Sequence, residues 1–161
     1  IVYLTRGWFD AAERAGAEEA LGPWTLGRSM LSAVAGQQRA FYAEAFARVQ
    51  TSEKPWEHKY LCSTADRQRT FWMRVDPVGG RRLLVVTGLA VEEPAPASLP
   101  FVADRYRDAR GVVVQCGHCR RVRAGEHPNA SWDWVGALVA RPAIGTSHGL
   151  CPACLGFYFP I

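Results

Sequence analysis

The 161-residue sequence lacks several features that would fix its function at once. No apolar run approaches the ~18 residues that a membrane-spanning helix needs, so no membrane association is predicted. No leader of basic, apolar and small residues opens the sequence. The phosphate-binding G-x-x-x-x-G-K-[ST] loop, the G-x-S-x-G nucleophile elbow and the H-E-x-x-H metal motif are all missing. We therefore expect no catalytic activity.

The sequence also has little net charge, +4 at pH 7. Residues 1–99 carry 12 Lys/Arg and 11 Asp/Glu, and residues 100–161 carry 7 and 4, so the basic excess lies in the last third. A nucleic-acid-binding domain usually has a stronger basic stripe. The excess is typical of a solvated face, and a nucleic-acid partner is not expected.

Cysteine is scarce but unevenly placed. Four of the five cysteines form two C-x-x-C pairs, "CGHC" at 116–119 and "CPAC" at 151–154, and Cys62 stands alone. Nothing else indicates secretion, so a disulfide framework is not expected and a reducing, cytoplasmic setting is predicted. We expect Cys62 to be a buried strand residue.

The two C-x-x-C pairs have the spacing of metal-binding knuckles. Zinc prefers four tetrahedral ligands and readily takes thiolates, and a second knuckle completes the set. All four positions are then held by cysteine, which leaves none open for water and predicts a structural zinc site. A redox dithiol and an iron–sulfur site remain alternatives. The predicted ligands are Cys116, Cys119, Cys151 and Cys154.

The histidines are weaker candidates. His118 lies inside the first knuckle and His148 lies three residues before Cys151. Each could replace a cysteine as ligand, but we expect a turn role or a hydrogen bond to a thiolate. His58 and His127 are expected to be a strand and a loop residue without a special role.

Arginines follow the first knuckle directly, at positions 120, 121 and 123. A zinc ion bound by four thiolates carries a net charge of −2, which nearby cations stabilise. We expect this role for the run, and for Arg120 above all. The alternative is contact with phosphate in a nucleic-acid-binding regulator.

The stretch "EEPAPASLP" (92–100) is predicted to be a linker, because its three prolines rule out a regular helix or a central strand. It divides the chain into residues 1–91 and 101–161. We expect a strand, then helices, then a three-stranded antiparallel meander in the first part. The predicted elements are a strand at 1–4, helices at 8–21, 30–35 (capped by Ser29) and 36–50, and strands at 56–62, 69–77 and 81–91.

This order predicts an α+β domain whose helices cover one face of an antiparallel sheet. Its core should include Phe41, Phe46, Trp56 and Trp72. In the second part we expect a strand at 111–115, a helix at 131–141 with Ser131 as N-cap, a turn at 146–150 and a short aromatic tail.

The residues Cys116–Arg123, then Trp132, then Ser147–Cys154 resemble a C-terminal segment of many bacterial PAS-type sensory and response-regulator proteins. That segment reads C-x-x-C-K-R-[VI]-R, a tryptophan, and S-H-G-[IL]-C-P-x-C, and Arg120 here replaces its lysine. Residues 1–91 resemble a PAS-like domain through their element order and through "YLTRGWFDAAERAG" and "LGRSM".

The resemblance implies a non-catalytic sensory module of bacterial signal transduction, with an unidentified small-molecule ligand or signalling protein as partner. A homodimer is left open. The rival readings are a nucleic-acid-binding regulator that uses Arg120–Arg123 and a thiol redox sensor that uses the C-x-x-C pairs.

Overall fold

The computed structural model of the chain describes residues 1–14, 26–34, 36–127 and 129–160. Within these ranges the fold is α+β, as expected, with one antiparallel and one mixed sheet. No helix in these ranges is long and apolar enough to cross a bilayer. The elements are α1 (Arg6–Arg14), a 3-10 helix (Met30–Ala33), α2 (Gly36–Ser52), β1 (Trp56–Leu61), β2 (Arg67–Pro77), β3 (Leu83–Pro94), α3 (Ala103–Tyr106), β4 (Val113–Cys116), β5 (Val122–Arg123), β6 (Trp132–Asp133), α4 (Gly136–Ala140), β7 (Thr146–Gly149) and α5 (Pro152–Tyr158).

The first sheet is the predicted antiparallel meander, in the order β1-β2-β3. Helix α2 lies against one of its faces, because the helix buries Tyr42, Ala45 and Val49 at helical spacing. Tyr42 and Val49 pack with Met73 and Val75 of β2. Three residues expected in this core border it, namely Phe41, Phe46 and Trp56.

Trp72 does not join that core. It is 38% exposed and lies over Gly88, its partner across β2 and β3. Side chains alternate between the faces of a sheet, so the burial of Met73 and Val75 places Trp72 on the outer face. Cys62 is also exposed, beyond the end of β1, and the expectation of a buried strand residue was wrong.

The N-terminal segment forms no strand. A strand needs a partner, whereas among the described residues the main-chain bonds of Ile1 go to Gly27 and Arg28, which lie in a turn. Helix α1 covers residues 8–14 of the helix predicted at 8–21. The remaining residues of that prediction, 15–21, lie outside the described residues. Ser29 caps the next helix as expected by accepting a hydrogen bond from the Leu31 amide, but that helix is 3-10.

The second sheet has the order β6-β5-β4-β7. Strands β4 and β7 are parallel and the other pairs are antiparallel. A small core lies beside this sheet, formed by Tyr106, Val113, Val122, Val135 and Leu138.

The predicted helix at 131–141 was wrong in its first half, which is β6. Ser131 is not a helix cap: its hydroxyl is hydrogen-bonded to the Asp133 carboxylate, which Arg105 and Tyr106 also contact. Tertiary contacts therefore override the local helix signal. Helix α4 is capped from the predicted linker, because Ser98 Oγ accepts a hydrogen bond from the Gly136 amide at 2.9 Å.

Two further segments differ from expectation. Residues 146–149 form β7 rather than a turn, because they pair along β4. The aromatic tail belongs to α5, which starts at Pro152, a residue favoured in a first helical turn. Strand β3 runs to Pro94, inside the predicted linker, which an edge strand tolerates.

The buried face of β2 should dominate the stability of the first sheet. Val75 is fully buried, so Val75→Ala should lower the free energy of unfolding by about 2 kcal/mol through lost packing. Val86→Ala is the matched control on the outer face, where the side chain is 39% exposed, and should change it by less than about 0.5 kcal/mol. Urea denaturation followed by tryptophan fluorescence measures both, and equal losses would contradict this packing.

Candidate metal centre

The two knuckles meet because they follow parallel strands. Cys116 ends β4 and Cys151 directly follows Leu150 after β7. In the β4–β7 pairing Cys116 lies opposite Gly149, so both strands end at the same edge of the sheet. Cys119 follows one turn later in the first knuckle, and Cys154 lies in the first turn of α5.

The four sulfur atoms form one compact group. All of them lie within 4.8 Å of one another, and the Cys119 and Cys151 sulfurs are 3.7 Å apart. Four sulfurs bound to one zinc at about 2.3 Å would be about 3.8 Å apart in a tetrahedron. All four cysteines are at most 8% exposed. The group can therefore hold a metal ion without large movement of its ligands.

Main-chain hydrogen bonds fix the first knuckle. The Cys116 amide donates to the Arg121 carbonyl and the Arg120 amide donates to the Cys116 carbonyl, at 2.8 and 3.0 Å. Arg120 has φ +64°, a left-handed conformation that costs a non-glycine residue about 1 kcal/mol or more. The Gly117 amide bonds to the Gly149 carbonyl at 2.8 Å and ties this knuckle to the end of β7.

The thiols do not share protons evenly. Hydrogen bonds from the Cys119 and Cys154 thiols hold the pKa of Cys116 far below its usual range. The same bonds raise the pKa of Cys119 to about 12 and that of Cys154 well above its usual range. Because metal ligation needs thiolates, a cation that binds here must displace the protons of Cys119 and Cys154.

His118 lies in the centre of the first knuckle, but neither of its ring nitrogens makes the hydrogen bond to a thiolate that we expected. Its Nε2 accepts a hydrogen bond from the Leu61 amide at 3.1 Å, at the end of β1. Its ring is 7% exposed and stacks on Phe157 at 5.5 Å and 12°. Burial lowers the pKa of His118. The neutral ring therefore carries its proton on Nδ1, which has no hydrogen-bond partner among the described residues.

Arg120 lies close enough to Cys62, Cys116 and His148 for electrostatic interaction with each of them. Burial lowers the pKa of the Arg120 guanidinium, while Cys62 and Cys116 oppose that shift. Burial, followed by the Arg120 charge, lowers the pKa of His148. Arg120 thus interacts with one of the four cysteines, and its role in charge compensation stays a prediction. Arg121 is used inside the fold, where its Nη1 donates to the Trp132 carbonyl at 3.3 Å.

Sequence reasoning missed an aromatic cluster between the centre and the first sheet. His58 was expected to have no special role, yet its ring stacks on Trp56 at 5.2 Å and lies 5.4 Å from both Phe157 and Tyr158. The Tyr158 hydroxyl accepts a hydrogen bond from Gln38 of α2 at 2.9 Å. The aromatic tail "GFYF" was the available signal, but nothing in the sequence says what it packs against.

Comparison with known proteins gives no relatives: no family model, no curated protein and no solved structure matches the chain. The geometry of the cysteine group and the fold around it therefore carry the functional argument.

His58 should make stability depend on pH. Burial, and secondarily the neighbouring His118, lower the pKa of His58 to about 4. The unfolded chain, with a pKa of about 6.5, binds the proton first, so stability is full above pH 6.5 and falls as the pH drops towards 4. Because the ring is only partly buried, we expect a loss of about 1 to 2 kcal/mol between pH 7 and pH 5 from this residue.

The His58→Phe variant keeps the aromatic packing and should lack that part of the loss. His127→Phe, in an exposed loop, should retain it. Urea denaturation at pH 7 and pH 5 on all three proteins measures the difference. An unchanged pH slope in His58→Phe would contradict the assignment.

Proposed function

We propose that Cys116, Cys119, Cys151 and Cys154 bind one structural zinc ion. The supporting observation is the grouping of four buried sulfurs within 4.8 Å. With four cysteine ligands no coordination position is open to water or substrate, which fits a structural rather than a catalytic metal. A cluster of several irons would push the sulfurs on different irons further apart than one ion does, so the close grouping favours a single ion.

We further propose that the chain is a non-catalytic, PAS-like sensory or regulatory module of bacterial signal transduction, working in the cytoplasm. Two observations support this: α2 covers one face of an antiparallel sheet, and the residues that carry the resemblance build the cysteine group. A small molecule or a signalling protein is the partner we expect. The internal bond of Arg121 speaks against a phosphate-binding role for Arg120–Arg123.

Metal analysis tests the zinc proposal. The purified wild-type chain should hold about one zinc per molecule, and Cys151→Ser should weaken zinc binding at least about 100-fold because it removes a thiolate. Cys62→Ser is the matched control, since this exposed cysteine lies outside the group. Competition with a chromogenic chelator measures the affinities.

Two results would overturn the zinc proposal. One is wild-type protein that binds no metal after zinc reconstitution. The other is Cys62→Ser losing as much affinity as Cys151→Ser. Bound iron with a visible thiolate-to-iron absorption band would replace zinc by iron as the metal of the same site.

A thiol redox sensor is the second candidate, and the low pKa of Cys116 favours it, since a thiolate is the form that oxidants attack. Hydrogen peroxide would convert this thiolate to a sulfenic acid with loss of hydroxide. Attack by a second thiolate of the group would then form a disulfide, release hydroxide and free the metal. Millimolar peroxide should then release zinc reversibly, with dithiothreitol restoring binding. Stoichiometric zinc retention under peroxide would remove this candidate.

A further inference from the structure

A part-buried hydrogen bond from the Leu61 amide to His118 Nε2 joins the first sheet to the first knuckle. We propose that His118 couples the metal state of the cysteine group to the end of β1, so that metal binding holds this strand end closed and metal loss opens it. The inference rests on the proposed metal binding and adds what that binding controls.

His118 is placed by the ligands on either side of it. It lies between Cys116 and Cys119, so both of its neighbouring ligands would be fixed by one ion. Its side chain leaves the knuckle and reaches Leu61, and Phe157 of α5 stacks on its ring. The imidazole therefore contacts the sheet on one side and the helix of the second knuckle on the other.

Leu61 needs the bond that His118 supplies. The neighbouring Cys62 amide donates to the Arg69 carbonyl of β2, so the Leu61 amide points away from β2. It faces the outer edge of β1, the free edge, which pairs with no other strand among the described residues. By the same alternation the main-chain groups of Glu57 and Lys59 face that edge. A partly buried amide that loses its acceptor destabilises the strand end that carries it. His118 Nε2 is thus the acceptor for the last main-chain amide along this edge of β1.

A second contact reaches α5, the helix that carries Cys154 of the second knuckle. Gln38 of α2 bonds to Tyr158 of α5, and its Oε1 lies against Gly117, where an added Cβ would come within 2.8 Å. Residues of α2 and β1 therefore contact the first knuckle, at Gly117 and His118, and the helix that carries Cys154, at Tyr158. Because these contacts are close, a change in the backbone of the knuckles would break their contacts with α2 and β1.

Metal loss removes the constraint that holds this shape. The cysteine group packs against three partly buried hydrophobic residues, Leu61, Trp132 and Leu150, so its shape depends largely on the sulfurs themselves. Local openings follow the weakest part of a fold. Without the ion the knuckle backbone can open, His118 leaves Leu61, and the free edge of β1 gains an exposed amide next to those of Glu57 and Lys59.

Hydrogen exchange followed residue by residue by NMR tests the coupling. In wild-type protein, removal of zinc by a chelator should speed exchange of the Leu61 amide at least tenfold more than that of Val75 in the core of β2. His118→Phe keeps the ring stacking and loses the acceptor, so its Leu61 amide should exchange fast with zinc bound. His118→Gln restores an acceptor and should recover part of the protection. His148→Phe, a histidine near the same cysteines, should behave as wild type.

The outcomes separate this inference from the zinc proposal. If wild-type protein binds zinc but the Leu61 amide exchanges equally with and without it, the coupling is wrong and the zinc site stands. Retained Leu61 protection in zinc-bound His118→Phe also overturns the coupling, as does equal acceleration at Leu61 and Val75. If the protein binds no metal at all, the zinc proposal fails first and the coupling fails with it.

Discussion

Four cysteine sulfurs packed into one buried group cannot all be thiolates unless a cation lies between them, and the contacts around the two knuckles depend on how this constraint is met. Proton sharing relieves it in part, since hydrogen bonds from Cys119 and Cys154 favour a thiolate at Cys116. A divalent ion relieves it fully and can supply about 10 kcal/mol or more of folding energy. The strands around the group are short and only Leu61, Trp132 and Leu150 pack against it as partly buried hydrophobic residues, so such a contribution would be large for the two knuckles.

The geometry that meets this constraint comes from strand direction more than from the cysteine spacing. A C-x-x-C pair sets two sulfurs on one turn, but 31 residues separate the two pairs. The parallel pairing of β4 with β7 closes that gap, because it brings the ends of both strands to one edge. The intervening chain returns through β5, β6 and α4, and Gln115 of β4 helps to fix it by donating to the Arg120 and Leu138 carbonyls.

Local patterns in the sequence predicted the meander, α2 and the cysteine group, but they did not predict contacts between residues that are distant in sequence. Side-chain alternation predicted the three strands of the meander, and helical spacing predicted α2. The spacing of Cys116, Cys119, Cys151 and Cys154 predicted the group that the structure assembles. The split at Ser131 was missed because Asp133 is satisfied by Arg105 and Tyr106, which are distant in sequence. The bond from Leu61 to His118 was missed for the same reason, since it joins residues 57 positions apart.

The contacts of the cysteine group differ in electrical character. Arg120 interacts electrostatically with Cys116, so its guanidinium can offset part of the negative charge of the group. His118 packs instead against the rings of Phe157 and Tyr158 and is 7% exposed. A low-dielectric environment strengthens a hydrogen bond and makes its loss costly. Under the proposed coupling, the metal state therefore reaches the sheet through the Leu61–His118 bond, at the edge of β1 that pairs with no second strand among the described residues.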